Sequence, residues 1–207
     1  MSVVLPIGGL EPLTTVDFPG RLAAVVFCQG CPWRCPYCHN RELQAIAPGK
    51  LGWGEVMGFL LERQGFLDGV VFSGGEPTIH RGLLDAVREA REAGFAIGLH
   101  TAGMVPGLLG RLLPYLEWVG FDVKAPLGEI YDRLVGRRGA CRAVRRSLEM
   151  LRESGVRFTI RCTVDKDWLG EEERERIVKD LAAMGLPEPV WQACRKGHFL
   201  GKSPPGE

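Results

Sequence analysis

The chain has 207 residues, 45% of them hydrophobic and 25% charged, enough for one folded unit with a sizeable core. The 26 Lys and Arg against 25 Asp and Glu leave a formal net charge of +1, which argues against nucleic acid or an anionic membrane as partner, since either selects clustered cations. No apolar run approaches the ~20 residues of a membrane span, and residues 1–5 lack the basic and apolar regions of a secretory signal, so a cytoplasmic location without membrane association is expected.

Residues 3–20 open the chain with Gly8-Gly9 and Pro19-Gly20 as turn signals and read as a short hairpin or lid strand. Residues 22–27 are a continuous apolar run, suiting a strand buried on both faces. A cysteine-rich loop follows at once. Residues 53–63 have helical spacing, and residues 69–72 form a second apolar run stopped by Ser73-Gly74-Gly75. The alternation continues with a helix over 83–93 stopped by Gly94, a strand over 95–99 and a helix over 105–115. A strand over 118–123, a helical stretch around 130–134 and a longer helix over 141–154 come next. Residues 156–164 alternate as a strand rich in β-branched side chains; 171–184 are helical, and 189–193 offer a last strand. The pairs Arg137-Arg138 and Arg145-Arg146 read as solvated helix faces.

Six strand–helix alternations imply a parallel sheet with helices outside. The fold class expected is α/β: an open six-stranded partial (β/α)6 barrel with an N-terminal hairpin or extension, because about 200 residues is short for eight-fold closure. Residues 1–194 are expected to form a single domain and 195–207, rich in Gly, Pro and Lys, a mobile tail.

Of seven cysteines, four fall between positions 28 and 38, in Cys28-Gln-Gly-Cys31-Pro-Trp-Arg-Cys35-Pro-Tyr-Cys38. In a cytoplasmic chain that clustering points to metal chemistry rather than cross-linking. The loop lies just past the carboxyl end of the first parallel strand, the end where α/β folds build active sites. Cys31, Cys35 and Cys38 form C-x3-C-x2-C, three thiolates able to hold three irons of a cubane and leave the fourth open. All four cysteines together could instead close a four-ligand Fe–S or zinc site. The three-cysteine reading is favoured because Cys28 continues Val25-Val26-Phe27 and suits a small buried hydrophobe in the wall.

C-x3-C-x2-C with Tyr37 before the last cysteine resembles the radical S-adenosylmethionine (SAM) superfamily. The fuller string Gln29-Gly30-Cys31…Cys35-Pro36-Tyr37-Cys38-His39-Asn40 resembles its glycyl-radical-enzyme activases. Ile7-Gly8-Gly9-Leu10 and Asp17-Phe18-Pro19-Gly20 are similar to the group that activates anaerobic ribonucleoside-triphosphate reductase. The resemblance implies a [4Fe–4S] cluster and SAM as cofactors, reductive cleavage to a 5′-deoxyadenosyl radical and hydrogen abstraction from a glycine of a partner enzyme. It also implies a flavodoxin- or ferredoxin-type electron donor, with no nucleic acid and no membrane partner. Two alternatives stay open: a radical SAM enzyme acting on a small molecule, and a non-catalytic zinc or Fe–S binding module.

Further stations follow the other strands. Ser73-Gly74-Gly75-Glu76-Pro77 resembles the superfamily's GGE motif, which implies contact of Gly74, Gly75 and Glu76 with the cofactor's amino group. His100-Thr101-Ala102-Gly103 has Ala102 where related proteins tend to have Asn, and reads equally as a polar turn. Asp122 and Lys124, two apart on a strand, share a face, as an exposed ion pair or, by resemblance to the activases' D-x-K motif, as a contact to the cofactor carboxylate. Arg161, a charge inside an apolar strand, demands a partner and is expected to meet carboxylate or ribose oxygens. Tyr37 and His39 are expected beside the cluster, His39 as a hydrogen-bonding residue. His80 is expected at a helix start, and Cys141, Cys162 and Cys194 read as ordinary thiols. Trp191-Gln192-Ala193-Cys194 departs from the polar motif the family carries on its last strand, so the adenine side stays unassigned.

Overall fold

The fold is that of a computed structural model, which describes residues 3–194; the tail expected from residue 195 lies outside the described residues. The elements run β1 (Ile7–Thr14), β2 (Ala23–Cys28), α1 (Trp53–Leu61), β3 (Gly69–Gly74), α2 (Leu83–Glu92), β4 (Ala96–Thr101) and α3 (Pro106–Leu112). They continue as β5 (Trp118–Asp122), α4 (Glu129–Val135), α5 (Ala140–Glu153), β6 (Arg157–Val164), α6 (Glu171–Ala183) and β7 (Val190–Ala193). All seven strands join one sheet in chain order, with β1 antiparallel to β2 and β2 to β7 parallel throughout. β1 and β7 are the two edges, so the sheet is the open partial barrel expected, with one N-terminal strand added.

Period-two alternation decides which side chains face the helices and which face the concave side. Val26, Phe72, Leu99 and Phe121 belong to the large core that also holds Leu84, Val87 and Ala90 of α2 and Val144, Leu148 and Leu151 of α5. On the other face Val25, Val71, Gly98 and Trp118 sit in register across four strands. Phe18, fully buried, fills the space there and stacks on Trp118 at 6.1 Å between ring centroids. Gly98 makes that plug possible, since a Cβ on it would already stand 3.4 Å from Phe18 Cδ1. The concave side is therefore apolar at its base. Two residues further along, β3 and β4 present the polar Ser73 and His100, while β2 and β5 present Phe27 and Gly120.

Of the hairpin or lid strand expected from residues 3–20, the strand forms, as β1; the turn expected at Gly8-Gly9 does not, since both lie inside β1 at a register shift. A Cβ on Gly8 would stand 2.7 Å from Gln29 Oε1, so the glycine serves close approach to the cysteine loop. The helix expected over 105–115 ends as α3 at Leu112 and finishes in a 3-10 turn, Leu113–Tyr115, because Pro114 has no N–H to continue an α-helical ladder.

Candidate active site

A cleft of about 350 Å³ opens at the carboxyl ends of the strands, and every parallel strand or the loop after it contributes. β2 gives Phe27 and then the cysteine loop; β3 gives Ser73, Gly74, Gly75 and Glu76; β4 gives His100, Thr101 and Ala102. β5 gives Asp122 and Lys124, β6 gives Arg161 and Thr163, and β7 gives Gln192. The cysteine loop contributes Cys31, Cys35, Cys38, Tyr37 and His39. All the site residues read from the sequence thus line one cavity. Asp17 and Gln192, in segments the sequence marked without giving them a role, line it too, as do Trp33 and Met104, which no sequence signal marked.

The loop is held by its own main chain. Gly30 and Cys31 N–H donate to the carbonyls of Leu43 and Gln44, and Cys38 N–H to that of Cys35. The Gln29 amide donates to the Glu42 and Ala45 carbonyls at 3.0 and 2.9 Å. The far end is tied to β5: Tyr37, buried, donates its hydroxyl to the Lys124 carbonyl at 2.7 Å. Lys124 N–H in turn donates to the Tyr131 hydroxyl, and Tyr131 meets the Trp33 ring edge-on. His39 Nε2 lies 3.3 Å from Cys194 Sγ, which links the loop to the end of β7. Cys28 ends β2 with no exposed surface and packs in the main core.

Gly74 has φ +104°, a value that L side chains rarely adopt, and a Cβ there would stand 2.6 Å from the Cys28 nitrogen. A Cβ on Gly75 would run into the Gly30 carbonyl, which accepts from Glu76 N–H at 3.0 Å. Both glycines therefore let the β3 end lie directly against the start of the cysteine loop. Gly74→Ala is expected to cost about 2–4 kcal/mol from backbone strain plus overpacking, read as a lowered urea midpoint with an unchanged slope. Glu76 is buried. Its Oε1 accepts from Thr78 N–H (3.0 Å), the Thr78 hydroxyl (2.6 Å) and the Thr101 hydroxyl, and its Oε2 from Ala102 N–H (2.9 Å).

Asp122 and Arg161 are register partners across β5 and β6. Arg161 Nε donates to Asp122 Oδ1 at 2.9 Å and Lys124 Nζ to Oδ2 at 3.1 Å. Burial alone would raise the Asp122 carboxyl, but Arg161 and Lys124 outweigh it and hold it well below the ordinary carboxylate range. Burial likewise disfavours the Lys124 ammonium, and Asp122 more than compensates. The trio carries one more positive than negative charge into the cleft.

His100, placed by the sequence where a strand gives way to a polar turn, is a buried member of β4. Its Nε2 lies 2.9 Å from the Asp17 carbonyl, which can only accept, so Nε2 carries the proton. Nδ1 then faces the Ser73 hydroxyl and Arg161 Nη1, each at 3.3 Å. Gly120, His100's register partner, makes room: a Cβ there would stand 3.0 Å from both His100 Cδ2 and Arg161 Cζ. Burial, aided by the Arg161 charge, lowers the His100 pKa to about 4 from an ordinary 6.5. The unfolded chain takes the proton near 6.5 and the folded chain only near 4, so stability from neutral His100 is complete above 6.5 and is lost as pH falls toward 4. Denaturation of wild type and His100→Asn across that range should show their stability difference shrinking on acidification. A constant difference would count against this assignment.

His80 lies between a 3-10 turn and α2, near the helix start as expected, with Nε2 buried and unpartnered. Cys162 is buried in β6, and burial raises its thiol to about 12; Cys141 is half-buried at the start of α5.

Comparison with known proteins decides what the cleft belongs to. The family model "Radical SAM superfamily" matches residues 25–181. The chain belongs to the radical SAM superfamily. It is 31% identical to pyruvate formate-lyase 1-activating enzyme of Escherichia coli strain K12, over 98% of this chain and 84% of that protein. It is 33% identical to pyruvate formate-lyase-activating enzyme of Clostridium pasteurianum, over 84% of this chain and 75% of that one. The structure "Native anSMEcpe with bound AdoMet" superposes with a TM-score of 0.60 at 18% identity, covering 81% of this chain and 49% of that longer one, a likeness of fold.

As a radical SAM enzyme the protein uses a [4Fe–4S] cluster and SAM, and its residues fit that pair. Cys31, Cys35 and Cys38 are free thiols on one loop, all lining the cleft. Burial pushes the Cys31 thiol up to about 12 against a lowering hydrogen bond from the Trp33 main chain, and nearby Glu76, Cys35 and Cys38 add to the rise. Burial raises Cys35 as well, partly offset by the Lys124 ammonium. Thiols this close disfavour one another's charge, which is what iron relieves on displacing their protons. Among the described residues no three His, Cys, Asp or Glu converge on a single ion; a cubane asks each thiolate for an iron of its own. Superfamily membership sets aside the reading as a non-catalytic zinc or Fe–S module.

Proposed function

We propose that this radical SAM enzyme activates a glycyl-radical enzyme, taking a hydrogen atom from a backbone glycine of that partner. The observation that carries the reading is its likeness, across nearly its whole length, to activating enzymes of pyruvate formate-lyase. The Gln29–Asn40 string favours anaerobic ribonucleotide reductase as the partner, and the electron comes from a flavodoxin- or ferredoxin-type donor.

In this reading Cys31, Cys35 and Cys38 would hold the cluster, and the cleft beside them would take SAM. When bound, the pair supplies one-electron cleavage of the sulfonium and so a 5′-deoxyadenosyl radical. The chain orients and shields. Because the Glu76 oxygens are taken by Thr78, Thr101 and Ala102, contact with the SAM amino group falls to the main chain of Gly74–Glu76. Lys124 and Arg161, with positive charge in excess over Asp122, face the carboxylate. Tyr37 fixes the loop to β5, and His39 keeps its shape beside Cys38. Trp33 and Tyr37 wall off water, which would otherwise quench a reactive radical.

The test is anaerobic. Reduced, reconstituted enzyme with SAM and either anaerobic ribonucleotide reductase or pyruvate formate-lyase should yield 5′-deoxyadenosine and a glycyl-radical electron paramagnetic resonance signal in equal amounts. Product formed without any protein partner, coupled to turnover of a small molecule, would favour the small-molecule reading instead.

A further inference from the structure

The cleft mouth must admit SAM and a partner's glycine, so an electron has to reach the cluster from another side. A second hollow of about 210 Å³ lies behind the cysteine loop, lined by Pro32, Trp33, Met104, Arg137 and Arg138 among others. Trp33 and Met104 line both this hollow and the cleft, so little more than their side chains separates the two. Arg34, Arg137 and Arg138 are exposed. Arg34 is wired to the cluster loop itself, its Nη1 donating to the Cys31 carbonyl at 2.7 Å and the Trp33 carbonyl at 2.9 Å. Arg34 N–H also donates to the Val135 carbonyl, which sets it beside Gly136 and the Arg137-Arg138 pair.

No ion pair among the described residues uses these three cations. The nearby acid Asp132 is turned away, accepting from the Gly139 and Cys141 N–H groups at the start of α5. Arg137-Arg138, which sequence alone reads as a solvated helix face, thus belongs to an uncompensated positive collar against the outer wall of the cluster loop.

We propose that this collar, Arg34 with Arg137 and Arg138, is the docking surface for an acidic one-electron carrier protein that reduces the cluster. The inference rests on the radical SAM reading above. The step is a single transfer: the carrier is oxidised by one electron and the cluster reduced by one, with no bond made or broken. Charge complementarity at such a surface acts mainly on encounter rate and is weakened by salt.

The test compares wild type with the Arg137→Glu, Arg138→Glu double variant under two reductants, photoreduced flavodoxin and dithionite. The variant should lose about tenfold or more in flavodoxin-driven 5′-deoxyadenosine formation and in affinity for oxidised flavodoxin by calorimetry. Its dithionite-driven rate and iron content should match wild type, and salt should slow only the wild-type flavodoxin reaction. Unchanged flavodoxin affinity and rate would overturn the proposal, as would an equal fall with both reductants. Wild type inert with both reductants would instead defeat the cleavage reading, while the calorimetric comparison would still report on docking.

Discussion

Cys35→Ala is expected to leave the protein colourless, with its iron lost and 5′-deoxyadenosine formation below detection, at least a thousandfold under wild type on the scale of losing an essential group. Cys35 lines the cleft between Cys31 and Cys38 on a loop whose main chain is pinned at both ends. If Cys35 holds an iron as proposed, the substitution removes that ligand without a replacement in reach of the same backbone. Cys28→Ala is the matched control. Cys28 is a fully buried end of β2 in the main core, so its loss should cost about 1–2 kcal/mol in packing and leave cluster and cleavage in place. Iron and sulfide content after anaerobic reconstitution, with product measured by chromatography, separates the two. Loss of the cluster in Cys28→Ala would mean a fourth protein ligand and a different site.

Glu76→Ala should be the most destabilising single change around the cleft, by about 3–5 kcal/mol, the cost of leaving buried hydrogen-bond donors without their acceptor. The carboxylate is 1% exposed and joins the turn after β3 to the end of β4 through Thr78, Thr101 and Ala102. Alanine leaves two buried main-chain N–H groups without acceptors, and they cannot turn elsewhere as the two hydroxyls can. Thermal unfolding should fall by about 10 °C for a domain of this size. Glu76→Gln keeps the volume but sets an amide N–H₂ against donors, so it should lie between alanine and wild type. A melting temperature within about 2 °C of wild type in Glu76→Ala would show that the network carries little energy.

The strand–helix alternation was legible because apolar runs of four to six residues, each closed by Gly or a polar turn, have few other folded solutions. The N-terminal strand was legible only as one of two readings, because Gly8-Gly9 looks like a turn until the cysteine loop that presses on it is known. In the site, C-x3-C-x2-C is local, so spacing reveals it. Arg161 showed that it needed a partner, and the partner proved to be Asp122, one strand away. His100 was underread because its environment is assembled from Asp17, Ser73, Gly120 and Arg161, four separate stretches of chain that only register brings together. Glu76 shows the converse: the motif is legible, but its carboxylate is consumed by neighbours that spacing does not reveal.

Mössbauer spectroscopy of protein reconstituted with ⁵⁷Fe, recorded with and without SAM, bears most directly on the chemistry. One iron in four should change its isomer shift when SAM binds, while the three held by Cys31, Cys35 and Cys38 stay as they were. Four irons unaffected by SAM, all with thiolate parameters, would contradict an open coordination position and with it the radical mechanism.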